Sequence, residues 1–389
     1  MMNNEDPIRK SICGFTADFY GKLTDDQGAI ISNVVVSPFS IYTAMAMTIA
    51  GTGGHTRAET LGALGIPILI WASRPHERIG ALVHKLIASS KSFDAFMANR
   101  LFVMSAAKIQ TNYSRVLTDH YDSACEVLGE LPNNEAKRNH MNDWVSLVSH
   151  QKIMELIPKD ANLSENTVKI LSILCFKACW EPTFKIIHPS ELEFFGLDGI
   201  KKPCVPLYAM ANVMYAVLPK YEAELLRIPL NDAGWEMLLL VPKTNSGLVR
   251  LLLRLRKPGE LSGLLNESPA IRPMHVYLPK FRLTQTAPLY AEKTLKKCGV
   301  TSLFDARTAD LSEMCSDARL SVADIVHRVT FEVEEPIACQ LTSEDAEKNL
   351  GDAKLTGATM RVQRPFFFAV ICDKNIPLLV GHVTTPAEL

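Results

Sequence analysis

Apolar residues recur along this chain at two periods, and the change from one to the other divides it. Ile8, Ile12, Phe15 and Phe19 are spaced four, three and four apart, one face of a helix whose polar side carries Arg9, Lys10 and Asp18. Val34 to Val36 reads as a short buried strand, and Ser37-Pro38 then supplies an N-cap and a first-turn proline for a helix. Ile41, Ala44, Met45 and Thr48 keep its spacing, and Gly51, Gly53 and Gly54 stop it. Thr56, with Glu59 three residues on, has the form of a capping box for the next helix. Residues 98–103, ANRLFV, predict a strand, and 139–157 a helix with Met141, Trp144, Val145 and Val148 on one side. From Val168 to Ala178 the chain is almost wholly apolar, the mark of a strand buried on both faces. Further strands are predicted at 213–218, 224–229, 235–241 and 274–283, with a helix from Leu289 to Cys298 closed by Gly299. A long strand leads to Val333, and the C-terminus is an apolar hairpin around Asp373, Lys374 and Asn375. Helices dominate the first 160 residues and strands the rest, without a βαβ rhythm, which predicts an α+β fold.

One stretch breaks this pattern. Phe331 and Val333 alternate with Glu332 and Glu334 as a strand should, but Pro336 has no N–H for a ladder. Polar and acidic residues then run to Lys354 before apolar strands resume at Pro365. A polar excursion of this length between buried strands is usually functional or disordered.

Composition narrows the function classes. Of 389 residues 47% are hydrophobic and 21% charged, and the net charge is −1, so nothing points to nucleic acid or an anionic membrane as partner. No linker or repeat divides the chain, and a single domain over residues 1–389 is expected. Nine cysteines at 13, 125, 175, 179, 204, 298, 315, 339 and 372 are odd in number, scattered and free of any C-x-x-C pair, which suits free thiols in a reducing compartment. The N-terminus lacks the apolar run of a secretory signal, and Ile66 to Ala72 is too short to span a bilayer. A cytoplasmic protein is therefore expected, with non-classical export still open. Asn112, Asn162 and Asn266 begin N-x-S triplets that mean little without secretion. There is no G-x-S-x-G elbow, phosphate-binding G-x-x-x-x-G-K-[ST] loop, H-E-x-x-H pair or G-x-G-x-x-G after a strand, and the ten histidines are dispersed. Neither an enzyme nor a bound metal or cofactor is expected.

Several separated segments agree on one family. NVVVSPFSI followed by AMAMTIAGTGGHT resembles the N-terminal signature of the serpins. ANRLFV, MNDWV, FKACWEPTF, LPKF, LFDARTADLS, IVHRVTFEVEE and RPFFFAVICDKNIPLLVGHVTTP each resemble a serpin segment, in the family's order, from about residue 8 to 386. The start at the first helix is similar to the intracellular ovalbumin-like branch. The resemblance implies three β-sheets, eight to nine helices and an exposed reactive-centre loop at about 336–362. It also implies a monomeric inhibitor whose loop is cut by a serine protease and then enters the largest sheet as a new strand. Such entry is a form of strand addition, in which main-chain hydrogen bonds hold the newcomer.

The same resemblance assigns roles to residues. Ser37, Ser40 and His327 match a polar cluster under the main sheet that lets its strands part, and Ser172 stands where the family has asparagine. The residues alone read rather as satisfied core hydroxyls and a core histidine. With the amide missing, a rearranged bond or a water is expected near Ser172. Trp180 matches the tryptophan at the loop's entry, and Lys280 with Glu335 an ion pair there that is otherwise an ordinary rim salt bridge.

After Glu335, inhibitory serpins carry a glycine and a run of small residues, because alternate side chains of the entering strand must fit a closed core. Here the hinge reads Pro336, Ile337, Ala338, Cys339, Gln340, Leu341. One register turns Glu344 and Lys348 inward, the other Asp345 and Glu347, so entry as far as about Ser343 is expected and complete entry is opposed by buried charge. The candidate reactive positions are Leu350, Gly351, Asp352, Lys354 and Lys348. Leucine suits chymotrypsin- or elastase-like proteases and lysine trypsin-like ones. Two functions follow: a suicide-substrate protease inhibitor, or a serpin-fold binding, carrier or chaperone-like protein that does not trap.

Overall fold

The structure, a computed structural model, describes residues 6–25, 32–71, 75–89, 95–181, 184–231, 234–285, 287–334, 358–373 and 375–386. Ten α-helices occur among them, against the eight to nine expected; the surplus comes from short pieces such as Ile68–Trp71. The first helix, Pro7–Leu23, starts where its sequence says: Asp6 caps it by accepting the Ile8 N–H at 3.0 Å, and Pro7 needs no donor partner. Ser37 caps the helix Pro38–Ile49 by accepting the Ser40 N–H at 3.0 Å, and all twelve residues of that helix are buried.

Two local readings change. The helix Gly54–Leu64 begins at Gly53, not Thr56, and the expected capping box does not form. Thr56 is inside the helix and accepts the Asp310 N–H, while the Glu59 carboxylate holds the N–H and hydroxyl groups of Thr301 and Ser302. A tertiary use of both side chains has replaced the local one. The helix expected over 139–157 runs Asn134–Val148, because Asn133 caps it by accepting the Ala136 N–H and left-handed His150 and Gln151 end it. The predicted Leu289–Cys298 helix is shorter, Glu292–Lys297, and Leu289–Tyr290 pairs with His327 and Val326 instead.

The strands form a hydrogen-bonded network of fourteen, with a separate two-stranded ribbon of Phe194–Phe195 and Lys201–Lys202. Two long strands each pair with different neighbours along their length and so join the parts of this network. Val205–Leu218 pairs with Ile271–Thr284 up to Met214 and with Ala223–Pro229 from Met214 onward. Ile271–Thr284 pairs with Val205–Leu218 along 271–280, then turns its last residues, Phe281 to Thr284, to Ser321–Val333. One sheet thus runs Cys125–Val127, Ala95–Val103, Thr167–Lys177, Ser321–Val333 and the end of Ile271–Thr284.

Within that sheet Thr167–Lys177 and Ser321–Val333 are adjacent and parallel, in register from Ser321 opposite Thr167 to Glu332 opposite Lys177. Residues 168–176 are all buried, as the apolar run requires. One face packs Ile170, Leu174, Val329 and Phe331 into the main core with the Pro38–Ile49 helix. The other face packs Leu171, Ile173, Cys175 and Val326 with Met141, Trp144 and Val145 of the Asn134–Val148 helix. The strand Ala358–Arg361 runs parallel to Ile271–Thr284, with Ala358 opposite Met274, while Val333 is opposite Phe281 of that same strand. Both ends of the polar excursion are therefore fastened to one strand. No helix among the described residues is long and apolar enough to cross a membrane.

Candidate functional site

The seam between the two parallel strands carries a closed polar cluster on its main-core face. Ser172 and His327 are direct neighbours in the parallel register, and both point toward the start of the Pro38–Ile49 helix. The His327 Nε2 accepts the Ser37 N–H at 3.1 Å, so that nitrogen carries no proton. Its Nδ1 therefore carries the hydrogen, facing the Ser172 carbonyl at 3.1 Å and the Ser172 Oγ at 3.0 Å. Ser40 Oγ lies 2.8 Å from Ser172 Oγ, and Ser37 Oγ donates to the Leu378 carbonyl at 2.6 Å. Ser37, Ser40, Ser172 and His327 are all 0% exposed, so no group of the cluster meets a dissolved substrate. Burial pushes the His327 imidazole down to about 3, only partly opposed by its hydrogen bond to the Ser172 main chain, and it stays neutral at physiological pH.

A longer polar side chain joins the cluster from the neighbouring strand. Asn99, opposite Ser172 on the antiparallel neighbour strand Ala95–Val103, accepts the Ser40 hydroxyl at its Oδ1 at 3.2 Å. Asn99 thus brings an amide into the cluster from the adjacent strand. Sequence reasoning placed Asn99 in a strand without a role; a polar residue amid ANRLFV was the signal available.

At the upper end of the seam, Trp180 Nε1–H donates to the Glu334 carbonyl at 3.0 Å, and its ring lies 5.1 Å from that of Phe184. Lys177, at the end of the first seam strand, pairs with the Glu334 carboxylate at 2.9 Å. Arg282 pairs with Glu332 at 3.1 Å. The seam is thus fastened at its exit by Glu334, one residue before the glutamate that the sequence singled out.

These observations meet in one comparison. The family described as "Serpin (serine protease inhibitor)" matches residues 10–386. The chain belongs to the serpin family. Ipis-1 of Ixodes persulcatus is 25% identical to this serpin, covering 97% of this chain and 99% of that protein. The leukocyte elastase inhibitor of Xenopus tropicalis is 26% identical, covering 82% and 84% respectively. The solved structure of uncleaved ovalbumin superposes with a TM-score of 0.83 at 20% identity, over 98% of this chain and 100% of that one, which shows the shared fold.

In this serpin the structure brings together Ser37, Ser40, Ser172 and His327, and Trp180 is bonded to the main chain of Glu334. Lys280 sits opposite Val205 on Ile271–Thr284. Its expected partner Glu335 lies outside the described residues, as do Pro336, Ile337, Ala338, Cys339, Gln340, Leu341, Lys348, Leu350, Gly351, Asp352 and Lys354. Sequence reasoning missed Asn99, Lys177 and Glu334. The last two carried a usable signal, since opposite charges at the adjoining ends of paired strands are a common fastening.

Proposed function

We propose that this serpin is a serine-protease inhibitor acting as a suicide substrate, and not an enzyme. The partner's serine cuts between residues 336 and 357, because the exposed loop expected as far as 362 gives way at Ala358–Arg361 to a paired strand, and the freed end enters between Thr167–Lys177 and Ser321–Val333. The observation that carries this reading is the parallel seam. A segment that leaves Val333 and folds back runs antiparallel to both strands, so once they part it finds a ladder of main-chain partners on either side. The buried His327–Ser172–Ser40–Asn99 cluster supports it, because polar contacts across a seam can be exchanged one for another where close-packed apolar ones cannot. Relatives named as inhibitors, such as the leukocyte elastase inhibitor, point the same way.

The reactive bond falls in the window Lys348, Leu350, Gly351, Asp352 and Lys354, and the partner is a trypsin-, chymotrypsin- or elastase-like protease. Lys280 and Glu335 form the entry pair, next to Lys177–Glu334. Cys125, Cys179, Cys204, Cys298, Cys315 and Cys372 are free thiols, which supports a reducing, cytoplasmic setting. A monomer suffices for the mechanism.

A second reading rests on the hinge. Ile337 in place of glycine, with Gln340, Leu341 and the charged tract beyond, favours a serpin that binds or carries a partner without trapping a protease. Incubation with trypsin, chymotrypsin and elastase separates the two on a denaturing gel. A covalent complex with any of them supports trapping. Loop cleavage without a complex for all three, and no rise in melting temperature after the cut, would sink it in favour of the second.

A further inference from the structure

At the opposite end of the seam a pocket of about 350 Å³ opens between the two strands and the chain that follows the Asn134–Val148 helix. Asp160, Asn162 and Ser164 form its exposed mouth. Lys169 and Asp324 lie deeper, only 5% and 7% exposed, and Tyr290 closes one side. Lys169 and Asp324 are partners in the parallel register, at the bulge that displaces Ala323.

The two side chains are not equally provided for. The Asp324 Oδ1 accepts the Glu292 N–H at 3.1 Å and the Ile325 N–H at 2.6 Å. Lys169 has no hydrogen bond and no ion pair within 4.0 Å among the described residues. A buried ammonium normally finds a direct partner, because leaving it without one costs several kcal/mol, roughly. Here the amine is held in the wall of a cavity, with the carboxylates of Asp324 and Glu292 acting on it only at a distance.

We propose that Lys169 is a reactive amine and the modification site of this protein for small aldehydes that fit the pocket. The neutral Nζ adds to the aldehyde carbon, forming the C–N bond, and the carbonyl π pair moves to oxygen, which takes a proton while nitrogen releases one, giving a neutral carbinolamine. That oxygen then takes a second proton and leaves as water while nitrogen gives up its proton, so aldehyde plus amine yields imine plus water. Asp324 lies across the strand register to give and take these protons. Burial lowers the Lys169 ammonium below its ordinary value, partly opposed by Asp324 and Glu292, and raises the Asp324 carboxyl to about 6. Both shifts raise the share of the forms the reaction needs near neutral pH. The charged and titratable groups facing the amine are Asp324 on the neighbouring strand, Glu292 behind it, and Asp160 and Tyr290 at the mouth.

The test uses the full chain with salicylaldehyde at pH 7, trapped with cyanoborohydride and quantified by peptide mapping. Lys169 is expected to label at least tenfold faster than the median of the other lysines. Asp324→Asn, checked for an unchanged circular dichroism spectrum, is expected to slow Lys169 labelling several-fold and leave the other lysines unaltered. Labelling of Lys169 no faster than that median in the unmodified chain overturns the proposal and needs no variant. Equal Lys169 rates in a folded Asp324→Asn protein overturn the role of Asp324.

Discussion

Replacing His327 by glutamine tests whether the seam cluster is neutral and fully desolvated. Glutamine retains an acceptor for the Ser37 N–H and a donor for the Ser172 carbonyl, but it does not titrate. In the folded protein the imidazole ionises near 3 and in the unfolded chain near 6.5. A folded value pushed down means that the unfolded state binds the extra proton, so this contribution is intact above pH 6.5 and is lost as pH falls toward 3. Between pH 7.5 and 4.5 the linkage amounts to about 2.7 kcal/mol, close to 1.4 kcal/mol for each pH unit below 6.5. The measurement is urea unfolding of both proteins at pH 7.5, 6.5, 5.5 and 4.5, taking the difference between their pH slopes. His76, held low by burial, and Asp324, held high by burial, contribute equally to both proteins and cancel. The wild type should lose about 2.7 kcal/mol more than His327→Gln over this range. Slopes agreeing within about 0.5 kcal/mol would mean that His327 is hydrated or protonated in the folded state, and the reasoning fails.

Asn99→Ala removes the acceptor of the Ser40 hydroxyl in a buried site and should cost about 1–3 kcal/mol in urea unfolding, with Asn99→Asp no substitute at neutral pH. Arg227, 4% exposed, holds Glu236 and the Leu265 and Glu267 carbonyls, so Arg227→Met should cost about 3–5 kcal/mol, while Arg227→Met with Glu236→Met should recover most of it in the same assay. At Gly381 an added Cβ would collide with the Val34 carbonyl and come within 2.6 Å of Phe368, so Gly381→Ala should lower stability by at least about 1–3 kcal/mol and show as a fall in melting temperature. Glu344→Ala with Lys348→Ala removes two charges expected to turn inward, and should raise the ratio of trapped complex to cleaved product several-fold on a denaturing gel; an unchanged ratio would put the obstacle at Ile337 instead.

The parts of this fold legible in the sequence are those fixed by local physics. The apolar run at 168–178, the Ser37-Pro38 cap and the C-terminal hairpin all carry their instructions within a few residues, and each appears where it was expected. The Thr56–Glu59 pattern failed for the opposite reason: its local partners were outcompeted by Asp310 and by Thr301 and Ser302, more than two hundred residues away. Val205–Leu218 begins eight residues before the predicted strand because its first half contains Pro206 and exposes Met210 and Asn212 to solvent. Pro206 is tolerated there opposite Pro279, a position where neither strand requires a donor from the other. In the candidate site the serines and the histidine were named by resemblance, but Asn99 depends on cross-strand register, which no single segment encodes.

The anchoring of both ends of the excursion on Ile271–Thr284 sets how much rope the loop holds. Phe281 and Met274, opposite Val333 and Ala358, are seven residues apart, at most about 23 Å along the strand. The 24 residues 334–357 could reach about 80 Å if drawn straight. Sending residues 337–343 down the seam uses about 23 Å, and the stretch from Ser343 to Ala358 still reaches about 50 Å, enough to climb back and cross to its mooring. Shallow entry therefore needs neither a cut nor the release of Ala358–Arg361. Deeper entry exhausts the slack, so the mechanism proposed above would require the cut only at that stage.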